Sequence, residues 1–402
     1  MRQKSLYGAM LRVFVGVLLL WNGVADARPV LNVSFSLSES EWTFFREEIL
    51  PAFEKAHDCE VKASQVDASD LPKLLAAGKM AGRSLVDIFA QDNMQLAVLI
   101  KEGLVEDLSA LRERIPAEVY PSMIEACTFD GTLYFIPFRP NVQIFYYNRE
   151  KFDEYGLNPP QSWEEWLGAA KLFKEKEGVG RVLIKGFGGA VTVTQMYEYI
   201  VGAGGDPLTF NDEGCVRTFR FFRELWQHAS PDSRRAKYDT SNDYLARDSV
   251  YLMQNWPFGY KILTEDYGKK NVEVYSGFPG PVRRAHVIGG DVFGIPVGTP
   301  NRELALAFVE YMLSREVQSA FVKGLAWPSV RQDAYAGVDS PVFVAVNEAL
   351  SHGIFRANVP YWTEYQKLFE EAFFSIVVRG GDVRSELDAY AQRLDGIRAR
   401  YR

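Results

Sequence analysis

The 402-residue sequence has only three cysteines and four histidines, and both scarcities narrow the chemistry open to it. Cys59, Cys127 and Cys215 are far apart and odd in number, so a disulfide framework is excluded. One bridge could form in an oxidising compartment, but spacing does not select the pair, and three small buried hydrophobes is the preferred reading. His57, His228, His286 and His352 are scattered without metal-ligand spacing, so neither a metal nor a cofactor is expected. There is no G-x-S-x-G elbow. The glycine cluster Gly186-Phe187-Gly188-Gly189 lacks Walker and dinucleotide spacing and reads as a turn. An excess of positive charge is missing too: the net charge of −7 gives no footprint for nucleic acid or an anionic membrane. No low-complexity tract or internal repeat is visible.

What remains is a well-furnished globular composition, 47% hydrophobic and 24% charged, long enough for two or three domains with sizeable cores. Aromatics reach 14%, including 8 Trp and 20 Tyr, a supply that stacking sites draw on. At the N-terminus, Arg2, Lys4 and Arg12 precede a short apolar run, Val13 to Trp21, and Ala25-Asp26-Ala27 is an A-x-A pattern. A cleavable signal over 1–27 is expected, starting the mature chain at Arg28. The competing reading, an uncleaved anchor, needs roughly 20 apolar residues, more than are present. No cysteine follows the apolar run, so a lipid-modified terminus is not expected, and the location is periplasmic or secreted. Without 1–27 the chain keeps 42 basic and 51 acidic residues, a net −9.

Along the chain, strands are expected at 30–37, 60–64 and 86–90, with helices opening at a Ser38–Glu41 capping box, over 71–77 closed by Gly78, and over 94–101 closed by Gly103. Such alternation predicts an open, mostly parallel α/β sheet, with ligands at the carboxyl ends of its strands. Gln91 and Asp92 fall at one such end, where Asp92 could cap a helix or accept from two hydroxyls. The stretch Phe129 to Arg149 then reads as a strand leaving one lobe for another. Pro137 and Pro140 limit the ladder there, and Phe138, Arg139 and Asn141 put an aromatic, a cation and an amide where the chain is expected to be neither sheet nor helix. The pattern restarts with a Ser162–Glu165 capping box, a strand at 182–184 and helix 191–201, predicting a second lobe of the same class. A strand at 250–253 leads into Asn255-Trp256-Pro257-Phe258, a stiff loop holding an indole that could stack on a sugar face or a cation for about 0.5 to 2 kcal/mol, or be plain core. Gly289-Gly290-Asp291 precedes strand 292–296, helices follow over 302–313 and 315–323, and the tail from Val342 is helical with breaks at Gly353 and Gly380-Gly381.

Several ordered motifs resemble the extracellular solute-binding proteins of ABC importers, in the branch of maltose- and trehalose-binding proteins. These are Val86-Asp87-Ile88-Phe89 with Asp92, Gly131 to Pro137 with Tyr146-Tyr147-Asn148 and Ser162-Trp163-Glu164-Glu165, Met253 to Phe258, and Gly289-Gly290 to Pro296 with Ser314 to Gln318. The resemblance spans nearly the whole mature chain. It implies a type II periplasmic-binding-protein fold whose lobes are discontinuous: 28–140 with 288–328, and 141–287 with 329–402. Crossings fall near 138–145, 286–292 and 327–335. A non-catalytic monomer would close on a small polyhydroxy solute, a carbohydrate, and dock on an ABC permease. The contacts carried over are Glu39, Asp92, Asn141, Trp256 and the Gly289-Gly290 backbone.

Two departures bear on the ligand. Asp291 stands where sugar-binding members often carry an aromatic, and an amide, Asn141, replaces an acid, with Arg139 nearby. Arg139 could meet a phosphate, and Asp291 with Trp256 an amine or choline headgroup. Glycerol 3-phosphate or a glycerophosphodiester such as glycerophosphocholine is therefore an alternative ligand, and a secreted glycoside hydrolase, which needs a facing carboxylate pair, an alternative class.

Overall fold

A computed structural model describes residues 28–35, 37, 39–66, 70–93 and 96–401, with Glu39 and Ser40 described by their backbone alone. The expected signal over 1–27 and the Ser38 end of the first capping box lie outside these residues. The strands that position the cleft are β1 (Val30–Ser34), β2 (Glu60–Ser64), β3 (Ile88–Asp92), β4 (Ile136–Val142), β5 (Ile144–Asn148), β6 (Leu252–Asn255), β7 (Val272–Tyr275), β8 (His286–Gly294) and β9 (Gly353–Ile354).

In the first lobe β1 pairs in parallel with β2 and β3, as the alternating pattern predicts. β8 then runs antiparallel to β3, with Val292 opposite Gln91, and β4 lies antiparallel on the far side of β8. Beneath this sheet, rings of Phe35, Phe45, Phe138, Phe293 and Phe308 interlock, Phe138 and Phe293 stacking at 4.1 Å between centroids. Each buried phenylalanine contributes about 1.5–3 kcal/mol over an exposed one.

The second lobe differs from expectation in its sheet, which is antiparallel: β5 is flanked by β6 and β7. The stretch at 182–184 contributes only a parallel bridge from Val182 to Leu252 and Ala229. The helix Trp163–Glu177 shows how local sequence builds this lobe. Ser162 Oγ accepts from the Glu165 amide at 3.1 Å, Lys174 and Lys176 sit in the last turn, and Gly178 ends it at φ +72°. Its inward stripe of Trp163, Trp166, Ala170 and Phe173 packs on Tyr199, Phe221 and Phe222 from neighbouring helices.

Three sequence expectations need correction. Gly78 does not end its helix, which runs Leu71–Met80; it is buried there, at a close approach where an added Cβ would meet the Ser84 Cα at 3.0 Å. Pro137 and Pro140 do not stop the ladder, and residues 138–141 are strand. Among the described residues β4 pairs only with β8, so on this edge strand the two prolines need no second partner. A bulge at Asp291/Val292 leaves Phe138 as the extra residue, which re-aims Arg139. Finally, residues 329–335 have not yet left the first lobe. Val119 bridges Arg331, Gln332 N donates to Glu118 O, and Arg331 pairs with Glu118 at 3.2 Å. The chain reaches the second lobe through helix Pro341–Ser351, after which β9 pairs with His286 and Val287 and Arg356 Nη1 donates to Thr194. That helix straddles the lobes, since Asn347 accepts from Tyr120 and Glu348 pairs with Arg284.

The three cysteines are buried and free, as their scarcity suggests. Among the described residues no helix is long and apolar enough to cross a membrane, and no His/Cys/Asp/Glu cluster could hold a metal.

Candidate ligand cleft

Between the lobes lies a cavity of about 530 Å³, lined from both sides and floored by the crossing strands. Its first-lobe wall begins with a row of side chains across three adjacent strands. Asp92 of β3 stands opposite Asp291 of β8, and Asp291 opposite Arg139 of β4. Directly opposed residues in antiparallel strands share a face, so two acids and a cation meet on the cleft side. Like charges side by side repel; here Arg139 Nη2 donates to Asp291 Oδ2 at 2.6 Å and Nη1 reaches Glu41 Oε1 at 3.5 Å. Glu41 also accepts from Trp327 Nε1 at 3.1 Å.

The floor is backbone. Asn141 pairs with Gly289 and Pro140 with Gly290. Gly290 has φ +100°, and a Cβ there would stand 1.9 Å from the Arg139 carbonyl, so only glycine lets the strands meet. At Gly289 an added Cβ would touch the indole of Trp256 at 3.1 Å, and Trp256 thus lies directly on the floor.

The second-lobe wall is aromatic and cationic. Trp256 follows β6, its carbonyl accepting from Tyr146 Oη at 2.7 Å and its ring meeting Tyr238 edge-on at 5.5 Å. Arg356 is 8% exposed. Its Nη1 donates to Thr194 at 2.6 Å, its Nε is buried without a partner, and burial pushes the guanidinium pKa down while nearby Asp92 opposes the shift. Behind Tyr238, buried Lys185 donates from Nζ to Gln143 Oε1 and the Gln254 carbonyl, 5.6 Å from the Tyr238 ring centroid. Desolvation brings its pKa down to about 7 against an opposing pull from Glu198.

Of the residues singled out from sequence, Asp92, Arg139, Asn141, Trp256, Gly289, Gly290 and Asp291 all line this cavity. Glu39 opens its helix, but its side chain lies outside the described residues; Glu41, two positions on, reaches the cleft. Sequence reasoning missed Tyr238 and Arg356, which lie in stretches without a strand-end or glycine signal, and Trp327, which entered only as the start of the crossing expected near 327–335.

Residues 38–319 match the family model described as bacterial extracellular solute-binding protein, and the chain belongs to that family. It is 24% identical over 307 residues to an uncharacterised ABC-transporter extracellular-binding protein of Pyrococcus horikoshii, covering 72% of this chain and 70% of that one. In fold it is similar to the sugar-binding protein MalE of Xanthomonas citri, with TM-score 0.81 at 17% identity over 92% of this chain and 98% of that one. It is also similar to the cyclic α-maltosyl-1,6-maltose binding protein of Arthrobacter globiformis, with TM-score 0.79 at 20% identity over 92% and 99%. The fold is the two-lobed α/β type II fold of periplasmic binding proteins.

Proposed function

We propose that the protein is the substrate-binding component of an ABC importer and captures a small carbohydrate in this cleft, outside the cytoplasm, without chemically altering it. The observation that carries the reading is an indole, Trp256, set against the Gly289 floor and surrounded by hydroxyl-binding groups from both lobes: Asp92, Asn141, Tyr238 and Arg356. A sugar offers such a site an apolar C–H face for the ring and hydroxyls for the polar rim. Because the groups come from two lobes, a ligand that contacts all of them favours the closed arrangement, and closure is what a permease would recognise. The family and the sugar-binding titles of two structural neighbours support this reading.

The ion pair at the departures argues against a phosphate. Arg139 is held by Asp291 and Glu41, so its charge is already matched. The same engagement argues against a hydrolase, since two of the cleft acids are tied to a cation rather than facing one another across a scissile bond. Thermal unfolding of the chain from Arg28 onward, against mono- and disaccharides and glycerophosphodiesters, tests the reading. A ligand at 100 times its Kd adds about 2.7 kcal/mol and raises Tm by several degrees. A shift with a sugar is expected; a shift with glycerophosphocholine alone would overturn the carbohydrate assignment.

A further inference from the structure

Trp327 is the second indole on the cleft wall, and its face is already covered. The Arg139 guanidinium carbon lies 4.4 Å from the centre of the Trp327 ring. Three contacts hold it there. Asp291 binds it at 2.6 Å, Glu41 at 3.5 Å, and Glu41 ties itself to the same indole through Nε1 at 3.1 Å. Cation, two acids and ring therefore form a closed cluster drawn from a helix, two strands and a loop. Among the described residues no cation lies over Trp256, whose ring is edged by Tyr238 instead. The two indoles thus differ in what a ligand finds on them.

We propose that Arg139 is a specificity-determining plug: it occupies the face of Trp327 on which a further sugar ring would stack, and so confines the cleft to a short ligand at the Trp256 end. The inference rests on the carbohydrate reading above. A neutral sugar that displaced the guanidinium would carry no charge to replace it, leaving Asp291 without its 2.6 Å ion-pair partner in a half-buried cleft. Longer oligosaccharides are penalised for that reason rather than by lack of an aromatic platform.

The test compares wild type with Arg139→Ala by calorimetry, using glucose, maltose, maltotriose and maltotetraose as probes, alongside acrylamide quenching of tryptophan fluorescence. Arg139→Ala/Asp291→Asn serves as a second variant that leaves no unmatched acid at Asp291 if the single change fails to fold. The expected results are an affinity gain of about tenfold for the longer members relative to the shorter, and an added quenchable signal that vanishes when Trp327→Phe is combined with either variant. Equal length dependence in wild type and variants overturns the plug. If no probe binds any form, the carbohydrate reading is weakened for this series, and the quenching arm decides the plug separately: unchanged quenching overturns it, while a Trp327-dependent increase supports it.

Discussion

At the scale of single residues, the side chains of the cleft differ in the partners they already have. Arg139 and Asp291 satisfy each other, whereas Trp256 presents an indole on a glycine floor. Trp256→Ala is expected to weaken ligand binding at least tenfold, about 1.4 kcal/mol, in a protein whose far-ultraviolet circular dichroism stays native. Unchanged affinity in calorimetry would remove Trp256 from the site. Lys185 offers a pH test. Its folded pKa of about 7 lies below the ordinary 10.5 because burial disfavours the charged form. The unfolded chain therefore binds more protons between those values, and this group's contribution makes stability rise with pH across that window. Measured by denaturant unfolding, the stability of wild type relative to Lys185→Met should climb from pH 7 to 9. Parallel curves would contradict the shift.

At the scale of elements, the strand pair β4 and β8 is both the floor of the cleft and a link between the lobes. Their close approach at Gly290 depends on a positive φ and on an absent Cβ. Gly290→Ala is expected to cost more than about 1 kcal/mol and to lower Tm in a thermal melt; an unchanged Tm would mean that the strands have room to part. This is also where the legibility of the sequence divides. Local signals were readable: the Ser162 cap of one helix, the strand end at Asp92, and the stiff loop around Trp256. What escaped is long-range. Nothing near Pro137 and Pro140 says that β4 is an edge strand, which is why they read as breaks. Nothing near Arg139 says that Asp291, 152 positions away, neutralises it. Arg356 gave no local signal because its place at the cleft arises from the third passage between lobes, later in the chain than the motif order suggested. No element was read over residues 206–249, although Asp212 caps the helix Glu213–His228 by accepting from Cys215 N at 2.8 Å.

The molecule as a whole has two lobes joined by three passages, near 140–144, 285–289 and 352–358, and the buried cluster of the first lobe continues past the straddling helix Pro341–Ser351 to Met253, Leu263 and Val272 of the second. At the last passage Asn358 ties the chain to the first lobe, donating to Asn93 O at 2.9 Å and accepting from Ala97 N at 2.8 Å. Closure is a hinge motion about this shared seam, and a solute gripped from both walls supplies the bias toward it. The most direct test of this central claim is small-angle X-ray scattering during titration with the sugar that raises Tm. The radius of gyration should contract saturably, over the same concentration range that calorimetry reports for binding. Saturated binding with an unchanged scattering profile would contradict closure of the lobes on the ligand.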